Sequence, residues 1–208
     1  MEILLRAEKC LMRVSYSRHV DGLWLGSLGG KGDEHLLCRV EDALTLIKNF
    51  DPLRYARIRR DVERIWINQR IGAIGTFNFT LKLCYLDRKF VETSAVESIA
   101  STIVHEATHG YPCLRKFGYP EALRYRIEQI CMKQELAFAC LLPDSKLLRE
   151  QIGRNLAMDP SYWLEREFAA RRPAQELEAA RAAGIPDWLT KSILRTRNFC
   201  WRIFRSRP

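Results

Sequence analysis

Apolar positions recur along the 208 residues with two distinct periods, and those periods mark out the elements. Between Thr76 and Leu86, Phe77, Phe79, Leu81, Leu83 and Tyr85 alternate with Asn78, Thr80, Lys82 and Cys84. That two-residue repeat predicts one strand with a single buried face. Gly72 and Gly75 predict a hairpin turn ahead of it, and Ile65 to Asn68 form the preceding strand. Leu11 to Tyr16 and Leu23 to Leu25 read as short strands before a glycine-rich loop at 26–32. Elsewhere the period is helical. Residues 41–64 predict helix broken near Asp51-Pro52, where Asp51 caps a second helix and Pro52 takes its first position. Val96, Ile99, Ala100, Ile103 and Ala107 make one apolar stripe. Leu123, Ile127, Ile130, Ala137, Phe138 and Leu141 make another, on a helix from Pro120 to about Leu141. Further helices are expected near 144–157, 160–182 and 186–204, split by Asp159-Pro160 and Gly184-Ile185-Pro186. Strands early and helices late predict an α+β fold with a helical C-terminal half.

The helix at Ser94 to Gly110 carries the chemistry. Ser94 with Glu97 three residues on reads as a capping box, and Gly110-Tyr111-Pro112 as a stop signal. Ser98, Ser101, Thr102, His105, Thr108 and His109 lie mostly opposite the apolar stripe. Residues four apart on a helix stand one above the other, so His105 and His109 can present two imidazole nitrogens to one metal ion. Glu106 projects beside them, which completes the H-E-x-x-H arrangement of zinc hydrolases. The chain has four histidines, and two of them fall in this pattern; His19 and His35 read as ordinary polar residues.

The segment resembles the active-site helix of zincin metallopeptidases. Thr102 stands three before the first histidine, uncharged Ala107 and Thr108 lie between the ligands, and Gly110 with Tyr111 follows. The glycine and third histidine of the metzincins are absent. The chain instead resembles the gluzincins, whose third ligand is a glutamate on a following helix, and the likeness covers about residues 95–143. It implies a zincin-like domain with a small, mostly antiparallel or mixed sheet packed on the H-E-x-x-H helix. It also implies a substrate backbone that pairs with a sheet edge beside that helix, the role expected for the strand at 76–86.

Arg124, Glu128, Cys131, Glu135, Ala139 and Leu142 share a face adjacent to the second apolar stripe. Carboxylates in such a place are costly unless paired or metal-bound, so one of them should be the third ligand. Glu128 follows His109 after 18 intervening residues and Glu135 after 25. If the helix runs back antiparallel from Pro120, Glu128 has climbed about 12 Å and Glu135 about 22 Å, which favours Glu128. Glu135 remains the alternative: Glu135-Leu-Ala-Phe-Ala resembles the small gluzincins that cleave phage repressors. Whichever glutamate is not a ligand is expected to hold a histidine Nδ1–H or Arg124. The expected activity is peptide hydrolysis on Zn²⁺, with Glu106 as general base toward the attacking water. Tyr111, Tyr119 and Tyr125 are the candidate oxyanion donors.

Composition narrows the setting. With 47% hydrophobic and 28% charged residues the chain suits a globular domain. Seven cysteines without a C-x-x-C pair fit reduced, packed thiols. Glu2, Arg6, Glu8 and Lys9 interrupt the apolar start, and no run approaches a membrane span, so a cytoplasmic location is expected. The loop at 26–32 lacks the Gly-Lys-Ser/Thr ending of a phosphate-binding loop. Arg54, Arg57, Arg59, Arg60 and Arg64, interleaved with Asp61 and Glu63, read as a solvated face laced by i, i+4 pairs, with contact to an anionic partner as the alternative.

The net charge of +9 sits mainly at the end of the chain. Residues 1–110 carry 16 Lys/Arg against 14 Asp/Glu, whereas 188–208 carry six basic residues and no acid. The expected organisation is one domain over 1–187 and a basic helical tail over 188–208. The tail suits nucleic acid, an anionic membrane surface or a protein partner; docking on its own domain with solvated arginines is the plainer expectation. A rival to the peptidase follows from it: a non-catalytic binding protein on a zincin scaffold that works through this tail.

Overall fold

The computed structural model describes residues 2–69, 72–114, 120–182 and 186–192. It opens with helix α1 (Glu2–Val14), strands β1 (Tyr16–Val20) and β2 (Leu23–Ser27), and a 3₁₀ turn at Gly30–Asp33. Helices α2 (Glu34–Phe50) and α3 (Pro52–Asp61) lead to β3 (Arg64–Asn68), β4 (Gly75–Asn78) and β5 (Leu83–Asp87). Among the described residues the remainder is helical: α4 (Arg88–Thr93), α5 (Val96–Leu114), α6 (Glu121–Ala139), α7 (Lys146–Leu156), a 3₁₀ turn at Pro160–Trp163 and α8 (Glu165–Ala182). The fold is α+β, with one mixed sheet of order β1-β2-β3-β5-β4.

β2, β3 and β5 run parallel at the centre, and β1 and β4 flank them antiparallel. Central parallel strands need cover on both faces and near-continuous apolar sequence, as Arg64-Ile-Trp-Ile-Asn68 and Leu83-Cys-Tyr-Leu-Asp87 provide. On one face Leu25, Ile65, Ile67 and Leu86 pack with the stripe of α2 (Leu36, Leu37, Val40, Leu44, Ile47) and with Ile99 and Ile103 of α5. On the other, Trp66, Leu83 and Tyr85 pack with Met12 of α1 and Trp24. The join of α2 to α3 follows the expected chemistry: Asp51 accepts a hydrogen bond from the Arg54 amide at 2.8 Å, and Pro52 starts the helix.

Several expectations are corrected. Leu11 to Val14 end helix α1 rather than begin a strand, and the Ser15 hydroxyl closes that end on the Leu11 carbonyl. The alternation over 76–86 is a hairpin, not one strand. A turn at Phe79–Lys82, with Lys82 at φ 45°, inverts the parity, so Phe77 sits opposite Cys84 in the main core while Leu83 and Tyr85 face away. Ser94 ends α4, its amide bonded to the Phe90 carbonyl; the first bonds of α5 fall on the Ala95 carbonyl. Gly110 does not stop α5, which runs on to Leu114. It admits β4 instead: a Cβ there would lie 3.2 Å from the Phe77 ring.

The buried face of α6 is also different. Leu123, Ile130 and Leu141 of the expected stripe are exposed, whereas Cys131, Met132 and Ala139 are buried with Ile127 and Phe138. The carboxylate-bearing face turns inward because partners on α5 satisfy it. Of the basic tail, 188–192 are helical, with Trp188 exposed and Thr190 buried; from 193 it lies outside the described residues. No described helix is long and apolar enough to cross a membrane.

Candidate metal centre

Helices α5 and α6 lie side by side, and the site forms on their shared face. His105 Nε2 and His109 Nε2 stand 3.2 Å apart. Glu128 Oε2 lies 3.4 Å from the first and 3.7 Å from the second. Glu135 sits on the other side of the first imidazole, with Oε2 3.1 Å from His105 Nδ1. Its second oxygen accepts the Ser101 hydroxyl at 2.9 Å. One glutamate thus joins the two Nε2 atoms, and the other holds the back of His105.

Electrostatics sharpen this arrangement. Burial favours neutral imidazoles and takes His109 down to about 4. Burial acts on His105 as well, but hydrogen bonds to Glu128 and Glu135 and the charge of Glu106 outweigh it and raise that histidine to about 10. Carboxylates on both sides of His105 thus favour a positive charge at the point where the donors converge. Such a place suits a cation.

Cys131, one turn past Glu128, is a further donor. One ligand atom each of His105, His109 and Cys131 lie within 4.8 Å of one another, and the three residues form a group that could hold a metal ion. The thiol is fully buried, and burial followed by the Glu128 charge pushes it well above its usual value. It lines a different groove from the one the histidines face.

The histidines open on a cleft of ≈ 1330 Å³. Thr102, Glu106, Arg124 and Glu128 line it from the two helices, and Gly75, Thr76 and Phe77 from β4, the edge strand. A Cβ at Gly75 would come within 2.8 Å of Glu106 Oε1 and 2.9 Å of Thr102, so only glycine lets β4 pass this close to the carboxylate.

The expected oxyanion donors are not gathered there. Tyr111 lines the groove behind α5, and the Tyr125 hydroxyl accepts from Gln129 one turn along α6 at 2.5 Å, outside the cleft lining. Tyr119 lies outside the described residues. Tyr162 and Trp163, from the 3₁₀ turn before α8, line the cleft instead, as does Arg171. Ser101 was legible as a polar neighbour four residues before His105. Nothing local marks Gly75 or Tyr162, because chain folding alone brings them in.

No family model matches this chain, and searches of curated proteins and of solved structures find none similar to it.

Proposed function

We propose that the chain is a zinc-dependent metallopeptidase of the gluzincin kind, hydrolysing a peptide bond held beside β4. The observation that carries this reading is the triangle of His105 Nε2, His109 Nε2 and Glu128 Oε2, with sides of 3.2, 3.4 and 3.7 Å. Ligands at about 2.0–2.2 Å from a tetrahedral ion stand roughly 3.3–3.6 Å apart, so the donor set fits zinc. His105, His109 and Glu128 would hold the ion, and Glu135 would orient His105. When bound, the ion supplies Lewis acidity, which makes water nucleophilic near neutral pH and polarises a carbonyl.

The chain's own groups account for the rest. Glu106, in the cleft beside Gly75, takes the proton of the attacking water and returns it to the leaving amine. The outer edge of β4 offers backbone groups to an extended peptide. Tyr162 and Arg124 line the cleft and are the candidates for hydrogen bonding to the developing oxyanion.

The test is Glu106→Gln. Zinc content, about one per chain, should stay, and peptide hydrolysis should fall about 10²–10⁴-fold. Full activity in that variant would remove the mechanism.

The closeness of Cys131 favours a second reading, a closed structural metal site on a non-catalytic scaffold whose basic tail engages a partner. Metal retained in Glu128→Ala and lost in Cys131→Ser would establish it. The opposite pattern supports the peptidase.

A further inference from the structure

A second groove, of ≈ 580 Å³, lies behind the metal helix. Val104 and Ala107 of α5 form its floor, with Ile58 of α3 on one wall and Ile127, Ile130 and Cys131 of α6 on the other. All but Ile130 are buried. The polar side chains at its edge are already satisfied: Thr108 donates to the Val104 carbonyl at 2.7 Å, and Gln134 accepts from Arg54 at 3.0 Å. The interior is therefore apolar, and its volume falls in the range of small-molecule sites, ~300–1,000 Å³.

The rim is basic. Arg54, Arg57 and Arg60 of α3 line it within two helical turns. Arg54 pairs with Asp51 and Arg60 with Asp61. Arg57 has no ion pair among the described residues, and its charge adds to burial in lowering the Arg54 pKa. An anion here would relieve that repulsion. The same sign disfavours the chain's own arginine-rich tail as occupant.

We propose that this groove binds a single-chain anionic amphiphile of the fatty-acid class, its alkyl chain along α5 and its carboxylate on Arg57. The inference does not need the metal centre to be filled: Cys131 is the one residue the groove shares with the candidate metal group, and His105, His109, Glu128 and Glu135 do not line it. An apolar trough edged by arginines of α3 suits both parts of such a molecule: the chain gains by leaving water, and the carboxylate gains a guanidinium partner.

Calorimetric titration of the full chain with dodecanoate tests it. The expected result is saturable one-to-one binding, at least tenfold tighter than dodecyltrimethylammonium and unchanged by EDTA. Arg57→Glu should weaken it at least tenfold, and Ile130→Trp, a change at an exposed position on the groove wall, should block it. Equal affinity for the two detergents, or wild-type binding in both variants, would overturn the proposal. Loss of binding with EDTA would also overturn it by moving the carboxylate to the metal. Arg57-dependent binding to phosphatidylglycerol vesicles without dodecanoate binding would overturn it in favour of a membrane surface.

Discussion

His105 is gripped from both sides, and each grip has a separate consequence. Its Nε2 faces His109 and Glu128, while Nδ1 is held by Glu135, which Ser101 holds in turn. A carboxylate behind a ligand imidazole sets its tautomer and raises its basicity. Glu135→Gln should therefore lower metal affinity about 10–100-fold in a chelator competition, with Ser101→Ala smaller in the same direction. Protons compete for the same nitrogens. With His105 raised to about 10, metal binding at neutral pH must expel its proton. Affinity should then rise with pH through the neutral range, and calorimetry in buffers of different ionisation enthalpy should register the released proton. Gly75→Ala addresses a different group. The new methyl would displace Glu106, so turnover should fall by roughly 10²-fold while zinc content is unchanged. At this scale the His105, Glu106, His109 cluster was legible from spacing, because a helix dictates which residues share a face. The division of labour between Glu128 and Glu135 was legible only as a preference for Glu128 from helix rise, since both sit on one helix face and the docked position of α6 on α5 sets which of them faces Nε2 and which Nδ1 of His105.

Elements were legible where period and punctuation agreed, and illegible where packing chose between faces. Asp51-Pro52 broke the α2–α3 run as expected, because capping and a fixed proline φ are local effects. Residues 76–86 satisfied a two-residue period on both sides of an unrecognised turn, so a hairpin passed for one strand. On α6 the apolar count pointed to Leu123, Ile130 and Leu141, yet the face turned toward α5 carries Glu128 and Glu135, both half-buried, since hydrogen bonds to α5 offset their desolvation. A fully buried carboxylate pins the loop after β2. Asp33, 1% exposed, accepts from Ser27, from the Gly29 amide and from Arg88 at the start of α4. Burial alone would raise its pKa, but these bonds outweigh it and hold the carboxylate below its usual value. Its stabilisation is thus complete above the unfolded-state pKa of about 3.9 and is lost as pH falls through the lower folded value. Asp33→Ala should cost about 2–3 kcal/mol at pH 7 in urea melts, and much less near pH 2.

The whole molecule builds the cleft from segments far apart in the chain: β4, α5, α6 and the turn at Pro160–Trp163. An ion bridging α5 to α6 would bind the folded chain and not the unfolded one. Zinc at about 1,000 times its dissociation constant then stabilises by about 4 kcal/mol, and EDTA should lower Tm on the order of 10 °C in a chain of this size. A Tm indifferent to chelation would mean that no metal ties the two helices together. By itself the sequence determined the α+β class, the pair of histidines four residues apart with a glutamate between, and the concentration of positive charge at the end of the chain. These follow from backbone periodicity and side-chain identity, which act within a few residues. Only tertiary structure decided which carboxylate meets the imidazoles, that Gly75 borders Glu106, that Tyr162 rather than Tyr111 lines the cleft, and that an arginine-rimmed groove lies behind α5. Each of those depends on how distant segments pack, and packing is settled by the free energy of the whole core rather than by any local stretch.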